Sequence, residues 1–287
     1  MDVAAHVEKL VGTPAVRLRA TGHSHAWTLH HAELADGRAV FVKALDESAV
    51  GEGSGVFDAE VAGLRWLAEA DPGELVPRVV AADDRMLVLP WLPPGSASPA
   101  AAERFGRDLA TLHSAGAEYF GAPWPGRIAT LPLDNSPSTG EWGTWYAERR
   151  LAPYLPAAAP HLGDDGVRLI ESVMHRIDDL AGPSEPPSRI HGDLWSGNLH
   201  WTDGRAMLID PAAHGGHRET DLAMLALFGA PHLDRILDAY QECSPLKAGW
   251  PQRIPLHQLH PLLVHVVLFG SSYTAMTLAA ASAVLSR

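Results

Sequence analysis

The feature that most constrains this 287-residue sequence is a string of polar residues about two thirds of the way along it. The string reads His-Gly-Asp-Leu-Trp-Ser-Gly-Asn from His191 to Asn198, and an apolar stretch that ends at Asp210 follows it. A short hairpin between the two would bring Asn198 and Asp210 together near Asp193. The fold must therefore gather three oxygen-bearing side chains at one place.

This cluster has the chemistry that phosphoryl transfer needs. That reaction requires a carboxylate beside the attacking hydroxyl group, which Asp193 could supply, and oxygen ligands for Mg²⁺, which Asn198 and Asp210 could supply. The spacing H-x-D-x-x-x-x-N is that of the kinase catalytic loop, and Asp210-Pro211-Ala212 stands where kinases have the metal-binding D-F-G. The alternative is that His-Gly-Asp forms a simple turn and Asp210 merely ends a strand.

A lysine on a predicted strand supports the same interpretation. Lys43 lies in the string Phe41-Val42-Lys43-Ala44, where the kinase pattern has a lysine that contacts nucleotide phosphates. Strand alternation places Phe41 on the same face as Lys43. Glu60, on the helix predicted next, could pair with Lys43 and fix its position. Taken singly, each charged residue could instead belong to a solvated surface.

The apolar patterns predict an α+β chain with two lobes. Residues 1–92 should form a small antiparallel sheet with one helix, and the hairpin signal Asp36-Gly37 joins two of its strands. Residues 93–287 should form a larger, mostly helical lobe. A linker is predicted at residues 51–55. The strands predicted in the first lobe are residues 15–20, 26–33, 38–45, 76–82 and 86–92.

Composition restricts the partners of the chain. A formal net charge of −12 disfavours binding to nucleic acids and to anionic membranes. The single cysteine, Cys243, excludes an internal disulfide and a four-cysteine zinc site, and no secretory signal is visible at the start. We therefore expect a cytoplasmic protein with a neutral or cationic partner, and we expect it to act as a monomer; the family resemblance described below implies a small-molecule or glycated-amine substrate.

The C-terminal segment needs a separate interpretation. Residues 261–286 contain no Lys, Arg, Asp or Glu, and by length they could cross a bilayer. Polar and small residues interrupt the segment, among them His265 and Gly270. We predict a buried pair of C-terminal helices, with a membrane anchor as the alternative.

Several motifs together resemble the fructosamine kinase family. The string from His191 to Asn198 marks only the wider protein-kinase-like group, which includes aminoglycoside and choline kinases. Trp195 after Leu194, the D-P-A at residues 210–212 and the R-E-x-D-L-A-M at residues 218–224 narrow the resemblance to this family. It extends over almost the whole chain, from Phe41 to Gly270.

The resemblance implies a bilobal protein-kinase-like fold and a function. The function is ATP- and Mg²⁺-dependent phosphorylation of the 3-hydroxyl group of ketosamines, which are sugars joined to amines by glycation. The phosphorylated adduct then decomposes and frees the amine, so the physiological role would be deglycation. The implied roles are Asp193 as catalytic base, Asn198 and Asp210 as magnesium ligands, Lys43 and Glu60 as the phosphate-positioning pair, Leu89, Pro90 and Leu92 as adenine contacts, and His191 and Asp221 as structural support.

One of these roles has a physical rationale of its own. Trp195, next to the base, could cover the apolar face of a sugar and attract a protonated amine through a cation–π contact, although it could also be a packed residue. The resemblance implies that Asp221 braces the catalytic loop by accepting hydrogen bonds from its backbone N–H groups, as the matching Asp does in kinase-like folds. The loop at residues 22–26 lacks the G-x-G-x-x-G of protein kinases, so its phosphate contacts stay open.

Other functions remain as alternatives. The same catalytic parts would serve an aminoglycoside, choline or other amino-alcohol kinase, and a catalytically silent kinase-like binding module is a third hypothesis. The sequence has no G-x-x-x-x-G-K-[ST] phosphate loop and no G-x-S-x-G nucleophile elbow. Its sixteen histidines include no H-E-x-x-H, so we expect no structural zinc site.

Overall fold

A computed structural model describes residues 2–24, 26–46, 55–70 and 75–286. It begins with helix α1, Val3–Val11, which the sequence analysis did not predict. The Asp2 side chain caps its N-terminus by accepting from the Ala5 N–H at 3.2 Å, and Gly12 ends it in the left-handed conformation. The first lobe thus has one helix more than expected.

The first lobe is built on a five-stranded antiparallel sheet in the spatial order β1-β2-β3-β5-β4. The three strands predicted first are confirmed, and Gly37 makes the turn between β2 and β3 with a φ of 86°. The strand predicted over residues 76–82 is wrong for most of its length, since Pro77 has no N–H to donate and only the last two residues are strand. The strands are β1 Ala15–Ser24, β2 Trp27–Leu34, β3 Ala39–Leu45, β4 Ala81–Ala82 and β5 Met86–Pro90.

Helix α2, Val56–Glu69, is the helix predicted for this lobe. Phe57, Leu64 and Leu67 recur at helical spacing, and each is at most 1% exposed. Glu60 is also buried, so the helix brings a carboxylate into an otherwise apolar interface. The linker predicted at residues 51–55 lies outside the described residues except for Gly55, which precedes α2.

The second lobe is mostly helical, as predicted, and it carries three short antiparallel strand pairs: the hairpins β6–β7 and β9–β10, and the pair of β8 with β11, which encloses β9–β10 in the sequence. Its helices are α3 Pro99–Ser114, α4 Trp142–Tyr146, α5 Leu155–His175, α6 Ile177–Leu180, α7 Arg218–Phe228, α8 Leu233–Cys243, α9 Trp250–Phe269 and α10 Thr274–Leu285. Its strands are β6 Gly126–Ile128, β7 Leu131–Leu133, β8 Ser188–Ile190, β9 Leu199–Thr202, β10 Arg205–Leu208 and β11 His214–Gly216.

A continuous apolar core joins the two lobes. It includes Leu64 of α2, Leu87 of β5, Leu109 of α3 and Leu208 of β10, all at most 1% exposed. Each buried leucine contributes roughly 2 kcal/mol to folding. The Leu208 N–H also donates to the carbonyl of Leu75 at 2.7 Å. The β9–β10 hairpin is therefore held against the sheet lobe, which fixes the segment before Asp210.

The C-terminal helices α9 and α10 pack on each other and on α5. Among the described residues, Trp250–Leu285 is the one stretch long and apolar enough to span a membrane by length and composition, which is weak evidence on its own. The predicted pair of C-terminal helices is present: residues 259–264 of α9 are buried without interruption, whereas α10 buries only Thr277, Ala280, Ala281 and Val284. Phe269, at the end of α9, is 51% exposed.

Candidate active site

The catalytic string lies between β8 and β9, and two tight backbone features shape it. Gly192 has a φ of 81°, and a Cβ at this position would lie 2.3 Å from the Ala212 carbonyl oxygen, so only glycine fits. Asp203 and Gly204 both have positive φ, which suits the two-residue turn between β9 and β10. This turn sends the chain back, and the Ile209 N–H donates to the Asn198 carbonyl at 3.1 Å.

His191 ties the string to the segment before Asp210. Its Nδ1 accepts from the Asp193 N–H at 3.3 Å, so the proton of the neutral ring is on Nε2, which donates to the Ile209 carbonyl at 2.9 Å. Burial lowers the pKa of His191, which keeps the ring neutral. His191 therefore has a supporting position, behind the site.

Asp221, near the start of α7, accepts hydrogen bonds from the backbone of the catalytic string. Its fully buried carboxylate accepts from the backbone N–H of His191 at 2.7 Å and of Gly192 at 2.9 Å. His113 Nε2 lies 3.1 Å from the same carboxylate, and His113 Nδ1 lies 2.9 Å from the hydroxyl of Tyr240. Although burial opposes it, the contact with His113 lowers the pKa of Asp221. The carboxylate thus stays charged and keeps its backbone contacts.

Asp193 and Asn198 are in direct contact. The Asn198 amide donates to the Asp193 carbonyl at 2.8 Å and to its carboxylate at 3.0 Å. Burial raises the pKa of Asp193 to about 7; the hydrogen bond from Asn198 lowers the pKa, and the nearby charges of Asp210 and Asp221 raise it. A carboxylate with a pKa near neutrality can accept a proton and release it again at physiological pH.

Lys43 bridges the two lobes. Its Nζ lies 2.8 Å from Glu60 Oε2, 3.0 Å from Asp210 Oδ1 and 4.6 Å from the ring centre of Trp27. Burial alone would lower the pKa of Lys43, but the two carboxylates raise it. The same attraction lowers the pKa of Asp210, against the effect of burial. The lysine is therefore a fixed cation between α2 and the end of the catalytic segment.

The predicted base, phosphate, metal and substrate residues line one cleft with about 660 Å³ of empty volume. Glu60 Oε1 is buried without a hydrogen-bond partner among the described residues. A set of carboxylate and amide oxygens of this kind suits Mg²⁺, a hard cation. His191 and Asp221 stand behind the cleft. The residues of the prediction that line it are Lys43, Glu60, Asp193, Trp195, Asn198 and Asp210.

A second, more apolar cavity adjoins the cleft and shares Trp27, Lys43 and Asp210 with it. The predicted adenine contacts Leu89, Pro90 and Leu92 all line it. His200 Nε2 lies 3.0 Å from the Leu92 carbonyl oxygen, whereas no hydrogen bond among the described residues engages the Leu92 N–H. The cavity therefore offers apolar walls and a backbone edge next to the lysine, which suits a flat heteroaromatic ring.

Sequence reasoning missed several residues of the cleft, among them Trp27, Arg127 and Ala129. Strand alternation could have found Trp27, because Leu29 pairs with Lys43 across β2 and β3 and Trp27 lies two residues before Leu29 on the same face. Arg127 and Ala129 belong to the β6–β7 region, and only the tertiary packing of that region brings them to the cleft.

One cluster away from the cleft could in principle hold a metal ion: His217, Glu219 and His257, whose ligand atoms lie within 4.8 Å of one another. Arg253 donates to both carboxylate oxygens of Glu219, at 2.5 and 2.8 Å. His217 Nδ1 accepts from the Glu219 N–H at 3.2 Å, so Nε2 of the neutral ring carries its proton. We therefore interpret this cluster as an ion-pair network at the start of α7.

Comparisons with known proteins agree with this geometry. Residues 6–287 match the family model for fructosamine kinase. A crystal structure of a presumed fructosamine-3-kinase from Thermobifida fusca superposes with a TM-score of 0.96 and 53% identity, over 100% of this chain and 99% of that chain. A presumed ketoamine kinase from Lactiplantibacillus plantarum is 38% identical over 76% of this chain and 78% of its own length.

A more distant structure shows the breadth of the fold. The ternary complex of streptomycin, ATP and APH(2″)-IIa has a TM-score of 0.63 at 15% identity, covering 100% of this chain and 97% of that chain. The shared fold is that of kinase-like phosphotransferases, which confirms the predicted fold class. The chain belongs to the fructosamine kinase family, and it is a phosphotransferase that acts on a hydroxyl group.

Proposed function

We propose that this chain transfers the γ-phosphoryl group of ATP to the 3-hydroxyl group of a ketosamine. The observation that carries the proposal is the placement of Asp193, with a pKa near 7, in one cleft with Lys43, Asp210 and Trp195. Membership of the fructosamine kinase family supports the choice of a ketosamine as the acceptor.

ATP would occupy the two adjoining cavities. The adenine ring would lie in the apolar cavity, where the Pro90 carbonyl and the Leu92 N–H can meet its edge. The phosphates would extend to Lys43, which Glu60 holds in place at 2.8 Å. Residues 1–92 and 93–287 would then act as the two lobes around the nucleotide.

Asn198 and Asp210 would hold Mg²⁺ at the phosphates. Both line the cleft, and Asp210 is only partly buried, with 46% of its side chain exposed, so it can reach a ligand there. When bound, the ion neutralises charge on the phosphate oxygens. The contact between Asn198 and Asp193 would keep the metal site and the base at a fixed separation.

Asp193 would act as the general base. It would accept the proton of the 3-hydroxyl group as that oxygen attacks the γ-phosphorus, and the bond between this phosphorus and the oxygen of the leaving ADP would break. Trp195, 39% exposed at the edge of the cleft, would cover one face of the sugar. The phosphorylated adduct would then decompose and free the amine, so the role in the cytoplasm would be deglycation.

The test is an acceptor panel with purified protein, ATP and Mg²⁺. We expect ADP formation with fructose-lysine or ribulose-lysine, and NMR of the product should place the phosphate on the 3-oxygen. Choline and an aminoglycoside serve as comparison acceptors, and the Asp193→Asn variant supplies the background rate. Turnover with a comparison acceptor but with neither ketosamine would refute the proposed substrate.

A further inference from the structure

An exposed aromatic surface begins at the catalytic cleft and leads away from it. Among the described residues five large apolar side chains are exposed, and three of them belong to this surface: Trp195 at 39%, Phe228 at 38% and Phe269 at 51%. We call the surface the aromatic wall. Its residues are Trp195, Phe228, His265, Phe269 and Tyr273.

The rings of the wall form an unbroken chain of contacts. Trp195 meets Phe228 edge to face, with ring centres 6.3 Å apart. Phe228 lies 5.3 Å from His265 and 6.4 Å from Tyr273, and Tyr273 lies 5.9 Å from Phe269. Because Trp195 also lines the cleft, the wall is continuous with the catalytic cavity.

The wall carries no formal charge. His265 Nδ1 lies 2.6 Å from the Pro261 carbonyl oxygen, to which it must donate, and burial lowers the pKa of the ring, so the histidine is neutral. Residues 261–286 contain no Lys, Arg, Asp or Glu. Contiguous exposed apolar surface of this kind marks a binding site more often than a simple lack of burial.

The chemistry of a ketosamine says what would reach the wall. Its amine is attached to C1, two carbons from C3, so an acceptor that presents its 3-hydroxyl group to Asp193 must hold the amine within a few ångströms of the base. Trp195 is two residues from Asp193 and lines the same cleft. The substituent on the nitrogen then leaves the cleft past the indole, toward Phe228.

We propose that the aromatic wall binds the substituent of the amine, and that it makes the enzyme select ketosamines of apolar and aromatic amines. This inference rests on the proposed function. The rings bury apolar area of the substituent, and Trp195, at the cleft, attracts the adjacent protonated nitrogen through its face. Because the wall is open to solvent, it sets a preference without limiting the length of the substituent.

The experiment compares kcat/KM for two fructosamines, one of benzylamine and one of methylamine. For the unmodified protein we expect KM to be about tenfold lower for the benzylamine adduct, since only that adduct reaches past Trp195 to Phe228. Phe228→Ala should raise KM for the benzylamine adduct about tenfold and for the methylamine adduct less than twofold. Phe269→Ala should act in the same direction with a smaller change.

Two controls accompany these variants. Val16→Ala removes an exposed apolar side chain from β1 in the other lobe, 66% exposed, and should change neither KM. Phe228→Leu keeps an apolar side chain of similar size, and it should restore most of the benzylamine preference. Thermal unfolding of each variant identifies any loss of folding. Phe269 is the most exposed ring of the wall, so Phe269→Ala tests the wall at a second position where a loss of folding is least expected.

Three outcomes would overturn the inference. Equal loss of activity with both adducts would mean that Phe228 only supports Trp195. Phospholipid vesicle binding that Phe228→Ala abolishes without changing the ratio of the two KM values would assign the wall to a membrane. Concentration-dependent dimerisation that Phe269→Ala removes would assign it to a second copy. Failure of the unmodified protein to convert these two adducts alone would also refute the inference, whereas failure with fructose-lysine and ribulose-lysine as well would refute the proposed function.

Discussion

The catalytic loop lies between two charged clusters that differ in how completely their carboxylates are paired. On its open side, Asp210 is 46% exposed and Glu60 Oε1 is buried without a partner among the described residues. On its inner side, each carboxylate oxygen of Asp221 and of Glu219 accepts at least one hydrogen bond. We call these inner contacts the α7 network, made by His113, Glu219, Asp221, Tyr240 and Arg253.

The difference shows where the molecule can change its protonation and its partners. In the α7 network the pKa values of Asp221 and Glu219 are lowered, so both stay charged over the physiological range. In the cleft, burial raises the pKa of Asp193 to about 7, so its charge responds to its surroundings. Carboxylates whose hydrogen bonding is incomplete thus lie at the proposed reaction site. Carboxylates whose oxygens all accept hydrogen bonds lie in the α7 network, which holds the catalytic loop in place.

The largest effect on turnover should come from the cleft. Asp193→Asn keeps the shape of the side chain but removes the proton acceptor, so we expect kcat to fall about 1000-fold. Lys43 and Asp210 are unchanged, so the Kd of ATP should change less than threefold. Stopped-time ADP assays and calorimetry measure the two quantities. A variant with near-normal turnover would show that Asp193 is not the base.

The next largest effect on turnover should come from the contact between the α7 network and the catalytic loop. Asp221→Asn replaces one acceptor oxygen by an N–H₂ group, so one of the two loop N–H groups, that of His191 or that of Gly192, loses its acceptor. We expect kcat to fall about 100-fold and the free energy of unfolding to fall by about 3 kcal/mol. Urea unfolding and steady-state kinetics test both. Loss of stability with normal kcat would separate the network from the site.

A smaller effect, on kcat/KM, should follow when the pH is lowered. Because the pKa of Asp193 is raised to about 7 and the carboxylate is the active form, kcat/KM should fall about tenfold per pH unit below that value. The profile is measured from pH 5 to 8 at saturating ATP. If kcat/KM began to fall only below about pH 5, Asp193 would titrate like an ordinary carboxyl group in the working complex.

The smallest effect on turnover should come from the part of the α7 network that does not touch the loop. Glu219→Gln leaves Arg253 buried without its carboxylate, so the free energy of unfolding should fall by about 3 kcal/mol while kcat changes less than twofold. Its activity profile with pH should match that of the unmodified protein. A tenfold loss of kcat would mean that the two clusters are coupled.

The same variant has a pH signature in stability. Hydrogen bonds from Arg253 lower the pKa of Glu219 from 4.5 to about 2, although burial opposes them. A lowered pKa gives stability that is present above the unfolded-state value and is lost as pH falls through the folded-state value. The stability difference between the two proteins should therefore be full above about pH 4.5 and shrink toward pH 2. Urea unfolding at several pH values measures it.

The sequence predicted the parts of the site that local spacing determines. Asp193, Asn198 and Asp210 lie within one loop and hairpin, so their meeting follows from a turn at Asp203-Gly204. Lys43 could be placed because strand position and face follow from alternation. The roles of these residues stay predictions until the variants are measured.

The rest depended on packing between distant segments. Arg127 reaches the cleft from a hairpin far along the chain, and the aromatic wall combines α7, α9 and the turn before α10. Helix α1 was missed because nine residues give a short periodic signal, although Asp2 and Gly12 are ordinary capping residues. The strand predicted over residues 76–82 is absent for most of its length. The apolar composition favours a strand there, but Pro77 has no N–H to donate to a neighbouring strand.

The lone thiol at the end of α8 gives the molecule a built-in attachment point. Cys243 is exposed and is the only cysteine in the sequence, so a maleimide dye will react at a single site without any residue being replaced. Val16→Cys on β1 would add a second dye on the opposite lobe. Energy transfer between the two dyes would then measure whether the distance between the lobes changes during turnover.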